Sequence, residues 1–222
     1  MIIQQAEFKK LKYVISYPDD YKEKVQYPII FYTHGAGSRG NDLSLLNIDV
    51  PIKKNVSAND FIIIAPQCYA NTWFEIFEQL IEFCEFVYNQ PFTDKSRFYA
   101  SGVSMGGYAI YQLIMSRQKL FTAGIVCCGG GMYWNAGRLA NVPVWAFHGE
   151  KDKSVFVTES INMVDAVNRK GGNAKLTVYP ETGHASWVET YANPEVFTWL
   201  LQHENQNDQE YLDGYTGAAT YG

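Results

Sequence analysis

Short, continuous apolar runs constrain the fold of this chain more than any other feature. Stretches such as IIFY, FIIIA and AGIVCC have no polar alternation. Strands of this kind are buried on both faces and belong to parallel sheets that are covered by helices. Seven such runs are predicted to be strands: Tyr13–Tyr17, Ile29–Thr33, Phe61–Ala65, Phe98–Ala100, Ala123–Cys128, Val142–Phe147 and Lys175–Tyr179.

Longer segments with helical periodicity lie between these strands. Apolar residues recur at every third or fourth position in Trp73–Tyr88, Tyr108–Met115, Val155–Val167 and Glu195–Leu201. Alternation of strands and helices predicts an α/β fold with an open, mostly parallel sheet of about seven strands flanked by helices. The first predicted strand is expected to pair antiparallel at one side, because a short turn over Asp19–Tyr27 joins it to the next strand.

Composition narrows the class of protein. The chain has 222 residues, of which 47% are apolar and 18% charged, so we expect one folded domain over residues 1–203. Residues 204–222 are polar and acidic and are expected to form a flexible tail. The net charge of −5 argues against a nucleic-acid partner, and no apolar run approaches the ~18 residues that a membrane span needs.

The cysteines and the N-terminus bear on the compartment. Cys68, Cys84, Cys127 and Cys128 lack the spacing of a zinc ribbon and are interpreted as reduced core thiols. The N-terminal MIIQQAEFKKLKYV has no long apolar run after a basic start, unlike a secretory signal. These features predict a cytoplasmic protein.

The motif Gly102-Val103-Ser104-Met105-Gly106 carries the strongest chemical signal. It follows the strand-like SRFYAS and precedes the helical YAIYQLIM, which is the strand–turn–helix setting of a nucleophilic serine. The turn is so tight that side chains at the flanking positions would clash, and glycine removes them. The Ser104 hydroxyl would then project at the carboxyl end of the sheet, and the Met105 amide could donate to an oxyanion.

A serine nucleophile needs a base and an orienting carboxylate. His184 follows the strand LTVYP and lies in a carboxyl-end loop, so it is the candidate base. His148 ends the strand VWAFHG and is interpreted as structural, and His203 lies on the terminal helix, where exposure to solvent explains it. Two acids follow VWAFHG: we favour Asp152, which lies just before a helix, over Glu150.

The loop after PIIFYTHG is expected to supply the second oxyanion donor. It reads His34-Gly35-Ala36-Gly37-Ser38-Arg39-Gly40-Asn41-Asp42, and its close glycines allow backbone amides to turn toward the nucleophile. Ala36 is the favoured donor and Gly37 the second choice. His34 is expected to brace the loop.

Five stretches together resemble the α/β-hydrolase superfamily, and within it the short carboxylesterases that include feruloyl esterase-like and predicted-peptidase members. They are HGAGSRGND, APQC followed by Trp73, GVSMGGY, HGEKD and GHASWVETYANPEVFTWLL, within residues 28–201. The resemblance implies Ser104 as nucleophile, Asp152 as acid, His184 as base, and the amides of Ala36 and Met105 as the oxyanion hole. No large lid is expected, because the connections are short.

Aromatic and polar residues near the carboxyl-end loops are candidates for substrate binding, with core packing as the alternative: Trp73, Tyr108, Trp134, Trp187 and Gln67. The predicted function is hydrolysis of a small-molecule carboxylic ester, such as a hydroxycinnamoyl or acetyl ester. Cleavage of small peptides or amides by the same residues is the alternative, and a binding module without catalysis is a third. No cofactor or metal is expected, since His-Glu-x-x-His and phosphate-loop motifs do not occur.

Overall fold

This computed structural model describes residues 2–46 and 59–205, and these residues contain an eight-stranded sheet. Its spatial order is β1-β2-β4-β3-β5-β6-β7-β8. The strands are β1 (Ile2–Phe8), β2 (Leu11–Tyr17), β3 (Tyr27–Thr33), β4 (Ile62–Pro66), β5 (Thr93–Val103), β6 (Ala123–Cys127), β7 (Val144–Gly149) and β8 (Ala174–Tyr179). The predicted flexible tail lies outside the described residues, apart from its first two positions.

The sheet is parallel from β4 to β8 and antiparallel at the β1–β2 side. The predicted α/β fold with an open, mostly parallel sheet is therefore confirmed. Because the carboxyl ends of parallel strands meet at one edge, the loops after β3 to β8 gather on one side of the molecule.

The pairing expected for the first predicted strand is corrected in part. That strand, β2, is antiparallel as expected, but its neighbours are β1 and β4 rather than β3, the next strand in the chain. Side chains on both faces of β2, among them Tyr13, Val14 and Ile15, are buried, as expected of a strand inside the sheet rather than at its edge. The more polar β1 takes the edge position instead, and its residues Ile2–Gln5 are exposed.

Within the described residues, five α-helices and several 3₁₀ turns cover the sheet. The helices are α1 (Phe77–Tyr88), α2 (Met105–Ser116), α3 (Thr158–Arg169), α4 (Trp187–Ala192) and α5 (Pro194–Leu201). None of the described helices is long and apolar enough to cross a membrane.

The apolar interior forms two layers, one on each side of the sheet. Ile29 and Phe31 of β3 face the layer that contains residues of α1, α2 and α3, whereas Ile30 and Tyr32 face the layer that contains residues of α4 and α5. This alternation is the two-residue period of a strand. All four cysteines are buried and free, in agreement with their interpretation as reduced core thiols.

Candidate active site

Ser104 lies in the turn between β5 and α2 with a strained backbone. Its φ is +53° and its ψ −119°, in a region that non-glycine residues rarely adopt. A Cβ atom at Gly102 would collide with the Gly106 carbonyl, and one at Gly106 would collide with the Thr33 carbonyl. The two flanking glycines therefore allow the turn to close, and the Ser104 amide secures it by donating to the Cys127 carbonyl at 2.8 Å.

Ser104, His184 and Asp152 form a continuous chain of hydrogen bonds. His184, in the loop after β8, has Nε2 2.9 Å from Ser104 Oγ and Nδ1 2.6 Å from Asp152 Oδ2. A carboxylate can only accept, so Nδ1 carries the proton and Nε2 is left to accept from the serine hydroxyl. This is the tautomer in which an imidazole can act as the base for the serine.

Asp152 lies in the turn after β7 and is only 4% exposed. Its Oδ1 accepts the amides of Ser154 and Val155 at 2.8 and 3.0 Å. Burial alone would raise the pKa of this carboxyl, but the hydrogen bonds from His184 and from the two amides outweigh it and hold the pKa below its ordinary value. Asp152 therefore stays ionised beside His184, whereas Glu150, the other candidate acid, is exposed.

The two expected oxyanion donors begin helical turns on either side of the nucleophile. Met105 is the first residue of α2, and Ala36 is the first residue of the 3₁₀ turn Ala36–Ser38, which also contains Gly37. The first amides of a helix have no intrahelical acceptor, so they are available to a ligand. A Cβ atom on Gly35 would lie 3.5 Å from Ser104 Cβ, which places the Ala36 loop directly against the serine.

His34 and Trp73 stabilise this loop through hydrogen bonds to its backbone. The Nδ1–H of His34 donates to the Gly35 carbonyl at 2.6 Å, and its Nε2 accepts the Cys68 amide at 2.9 Å. Burial lowers the pKa of His34 to about 4, so the ring is neutral near pH 7. Trp73, which is 0% exposed, donates from Nε1 to the His34 carbonyl at 3.1 Å.

Gln67 and Arg39 also stabilise this loop, through hydrogen bonds to its backbone carbonyls. Gln67 is buried and donates from Nε2 to the carbonyls of Ser38 and Asp42 at 2.9 and 2.7 Å. Arg39 donates to the Ala36 carbonyl at 2.8 Å. Trp73 and Gln67, both predicted to bind substrate, thus lie beneath the loop, where the bonds they make brace it.

A cleft of about 920 Å³ lies along α2 beyond the serine. Tyr108, one turn after Ser104, is the one predicted substrate-binding residue in its lining. Sequence reasoning missed the other lining residues: Tyr69, Phe74, Glu75, Ile76, Phe77, Glu78, Gln79, Gln112, Met115, Gly131 and Met132. Gln112 and Met115 follow Tyr108 at helical spacing, a signal that could have revealed them.

The two remaining predicted residues lie elsewhere. Trp187 packs edge-on against the His184 ring, with centroids 5.6 Å apart, so it supports the histidine. Trp134 is 74% exposed on the 3₁₀ helix Tyr133–Leu139 and is outside the cleft lining.

Cys128 completes the surroundings of the His184–Asp152 pair. Its sulfur and one ligand atom each of Asp152 and His184 lie within 4.8 Å of one another, a donor set that could hold a metal ion. Burial raises the pKa of the thiol well above its ordinary value, so Cys128 is a neutral thiol here. The carboxylate and imidazole are already engaged with each other.

The match to a protein-family model identifies the family of this chain. The model of the prolyl oligopeptidase family matches residues 67–134 and 132–207, more than half of the chain. The chain belongs to the prolyl oligopeptidase family. Ser104, Asp152 and His184 lie within the matched segments of this family, whereas Ala36 lies outside them.

The curated relatives of this chain carry two kinds of name, dipeptidyl-peptidase and feruloyl esterase. Dipeptidyl-peptidase 5 of Aspergillus fumigatus is 21% identical over 86% of this chain, and that of Porphyromonas gingivalis is 22% identical over 52%. The matches span only 32% and 20% of those two proteins. Probable feruloyl esterase C of Aspergillus terreus is 26% identical over 81% of this chain and 69% of its own length.

Solved structures give the same fold. A thermostable esterase superposes with a TM-score of 0.80 and 27% identity, covering 92% of this chain and 63% of that one. Est1E from Butyrivibrio proteoclasticus has a TM-score of 0.69 at 14% identity, covering 90% and 98%. Family and neighbours together make this prolyl oligopeptidase family member a serine hydrolase of the α/β-hydrolase fold.

Proposed function

We propose that this serine hydrolase is a carboxylesterase in which Ser104, His184 and Asp152 form the catalytic triad. The observation that carries the proposal is the unbroken chain from Ser104 Oγ through His184 to Asp152, with contacts of 2.9 and 2.6 Å. An open, largely apolar cleft begins at Tyr108, one helical turn after this serine.

The geometry supports the following sequence of steps. Ser104 Oγ attacks the ester carbonyl while its proton passes to His184 Nε2, and Asp152 stabilises the resulting imidazolium. The amides of Met105 and Ala36 stabilise the negative charge on the carbonyl oxygen. His184 then gives the proton to the leaving alcohol, and the acyl group remains on Ser104. Water then attacks the acyl carbon while His184 takes its proton, and His184 returns that proton to Ser104 Oγ as the acyl–serine bond breaks and the carboxylic acid leaves.

Two observations favour an ester substrate with a bulky apolar group. The cleft that begins at Tyr108 is lined largely by aromatic and aliphatic side chains and has room for more than an acetyl group. In addition, the alignment with Probable feruloyl esterase C extends over 69% of that protein, against 32% of the A. fumigatus dipeptidyl-peptidase. Aromatic acyl esters of the hydroxycinnamoyl type are therefore the proposed substrates, ahead of acetyl esters.

Cleavage of small peptides is the second candidate, and the prolyl oligopeptidase family match favours it. The same triad could attack an amide, with His184 protonating the leaving amine. We place it second because the dipeptidyl-peptidase matches cover a third or less of those proteins.

A panel of matched substrates tests the proposal. Wild type and Ser104→Ala would be assayed on p-nitrophenyl esters from acetate to octanoate, on methyl ferulate, and on a dipeptide p-nitroanilide. We expect the serine variant to lose at least ~10⁴-fold in kcat on esters. Ester turnover that survives in Ser104→Ala would overturn the triad, and a higher kcat/KM on the anilide than on the esters would move the assignment to peptides.

A further inference from the structure

His148 is a buried histidine in direct reach of the candidate triad. It lies at the end of β7, is 0% exposed, and uses both ring nitrogens. Its Nε2 is 2.9 Å from the Val155 carbonyl and 3.3 Å from Asp152 Oδ2, and its Nδ1 is 2.8 Å from Ser160 Oγ. His148 therefore connects β7, the loop that carries Asp152 and the first turn of α3.

The partners of His148 determine where its proton lies. A backbone carbonyl can only accept, so Nε2 must carry the hydrogen that points at Val155 and Asp152. Burial lowers the pKa of His148, which favours the neutral ring, and Nδ1 then accepts from the Ser160 hydroxyl. Ser160 Oγ also faces the Gly129 carbonyl at 3.2 Å, so its single hydrogen is shared between that carbonyl and Nδ1.

We propose that His148 is a positioning residue for Asp152 and that Ser160 holds the ring in place at Nδ1. The inference rests on the proposed role of Asp152 in the triad. Oδ2 of Asp152 lies between two imidazole N–H groups, those of His184 and His148, while Oδ1 accepts two amides. The four donors fix the rotation of the carboxylate, and the plane of the carboxylate fixes the His184 ring.

Alternative roles differ in what they require of His148. A histidine that served only the core would need its two nitrogens satisfied, and the Val155 carbonyl and Ser160 already do this. The additional approach to Asp152 Oδ2 is useful only if the carboxylate must be held in one orientation. The two roles therefore predict different effects of a side chain that fills the same space without an N–H group.

Three variants separate these roles. His148→Leu fills the space but removes all three polar contacts, His148→Gln keeps one N–H donor and one acceptor, and Ser160→Ala leaves the ring but removes its contact at Nδ1. We expect kcat on the best ester to fall about 10- to 100-fold in His148→Leu, about 3- to 10-fold in Ser160→Ala, and less than about 5-fold in His148→Gln, with KM within about 2-fold throughout. Val167→Ala, a buried α3 substitution away from the loop, is the control for loss of stability.

A proton NMR measurement gives a readout that does not depend on the substrate. The Nδ1–H of His184, bonded to Asp152 at 2.6 Å, should give a low-field resonance. We expect it to persist in His148→Gln and Val167→Ala, to be broadened or absent in His148→Leu, and to weaken in Ser160→Ala. If wild type has this resonance but no ester activity, the proposed function fails while the role of His148 remains testable by the same spectra.

Two results would overturn the inference. One is an unchanged resonance and kcat in His148→Leu. The other is a loss of kcat in His148→Leu that Val167→Ala reproduces at equal stability. Should His148→Leu not fold, the comparison rests on Ser160→Ala, and an unaltered resonance and kcat there would refute the inference that the held ring positions Asp152.

Discussion

Acid should destabilise this protein through His34, the histidine that begins the loop carrying Ala36. The ring is 2% exposed, donates to the Gly35 carbonyl and accepts the Cys68 amide. Protonation of Nε2 would turn this acceptor into a donor that faces another donor. Burial and this arrangement oppose the charged form, and the pKa of His34 is lowered from 6.5 to about 4.

The size of the effect follows from the two pKa values. Because the folded pKa is the lower one, the unfolded chain binds the proton first as the pH falls. The His34 contribution to the free energy of unfolding is therefore complete above pH 6.5 and is lost progressively between pH 6.5 and 4. A gap of about 2.5 between the pKa values corresponds to about 3.4 kcal/mol in total, of which about 2 kcal/mol is lost by pH 5.

Urea unfolding of wild type and His34→Gln at pH 7 and pH 5 measures this contribution. Glutamine can offer an N–H to Gly35 and a carbonyl to Cys68 but does not titrate in this range. We expect wild type to lose about 2 kcal/mol more than the variant between the two pH values. The other titrating groups, His148 included, contribute to both proteins and cancel. Equal losses in the two proteins would refute the assignment, whatever the cost of the substitution at pH 7.

Two further predictions concern the serine turn and the cleft. Gly106→Ala places a Cβ against the backbone of Thr33 and His34, so it should lower the free energy of unfolding in urea by about 1–3 kcal/mol or more. The control is Gly37→Ala, whose Cβ meets nothing within 4 Å and which should change this free energy by less than about 1 kcal/mol. A similar cost for both variants would contradict the packing argument. Glu75 and Glu78 line the cleft, and none of its described lining residues is Lys or Arg, so esters with an anionic acyl group should be disfavoured. The Glu75→Gln/Glu78→Gln double variant should raise kcat/KM for such esters about 5-fold at low salt and less at high salt, whereas the control Glu82→Gln should not. An unchanged kcat/KM in the double variant would show that the two carboxylates lie outside the substrate path.

The parallel body of the fold could be predicted from the sequence because its strands are apolar on both faces. Each of the seven predicted strands overlaps a strand of the sheet, although β5 begins five residues before the predicted Phe98. The strand that was missed, β1, has the exposed and partly polar sequence IIQQAEF, which resembles a loop when its neighbours are unknown. An edge strand is defined by its partner more than by its own residues.

The candidate site, like the fold, could be predicted from the sequence only in part. The placement of Ser104, Asp152 and His184 could be predicted because each follows a strand and parallel strands end at one edge. The support of the loop that carries Ala36 could not, because it depends largely on contacts between residues 25 to 39 positions apart, as in Gln67 with Asp42 and Trp73 with His34. An aromatic or amide side chain near a loop gives no sequence signal for whether it faces the substrate or the loop itself.

The small residues at the end of β6 explain how three distant side chains can meet. β6 lies between β5, which precedes Ser104, and β7, which precedes Asp152, so the contact between His184 and both partners must pass over its carboxyl end. That end is Cys128 followed by Gly129, and a Cβ atom on Gly107 of α2 would approach the Gly129 Cα to 3.0 Å. Cys128 has a φ of +41°, and its sulfur lies within 4.8 Å of the engaged atoms of Asp152 and His184. A larger side chain at position 128 would crowd the imidazole, so the meeting of the three side chains depends on a strand that contributes none of them.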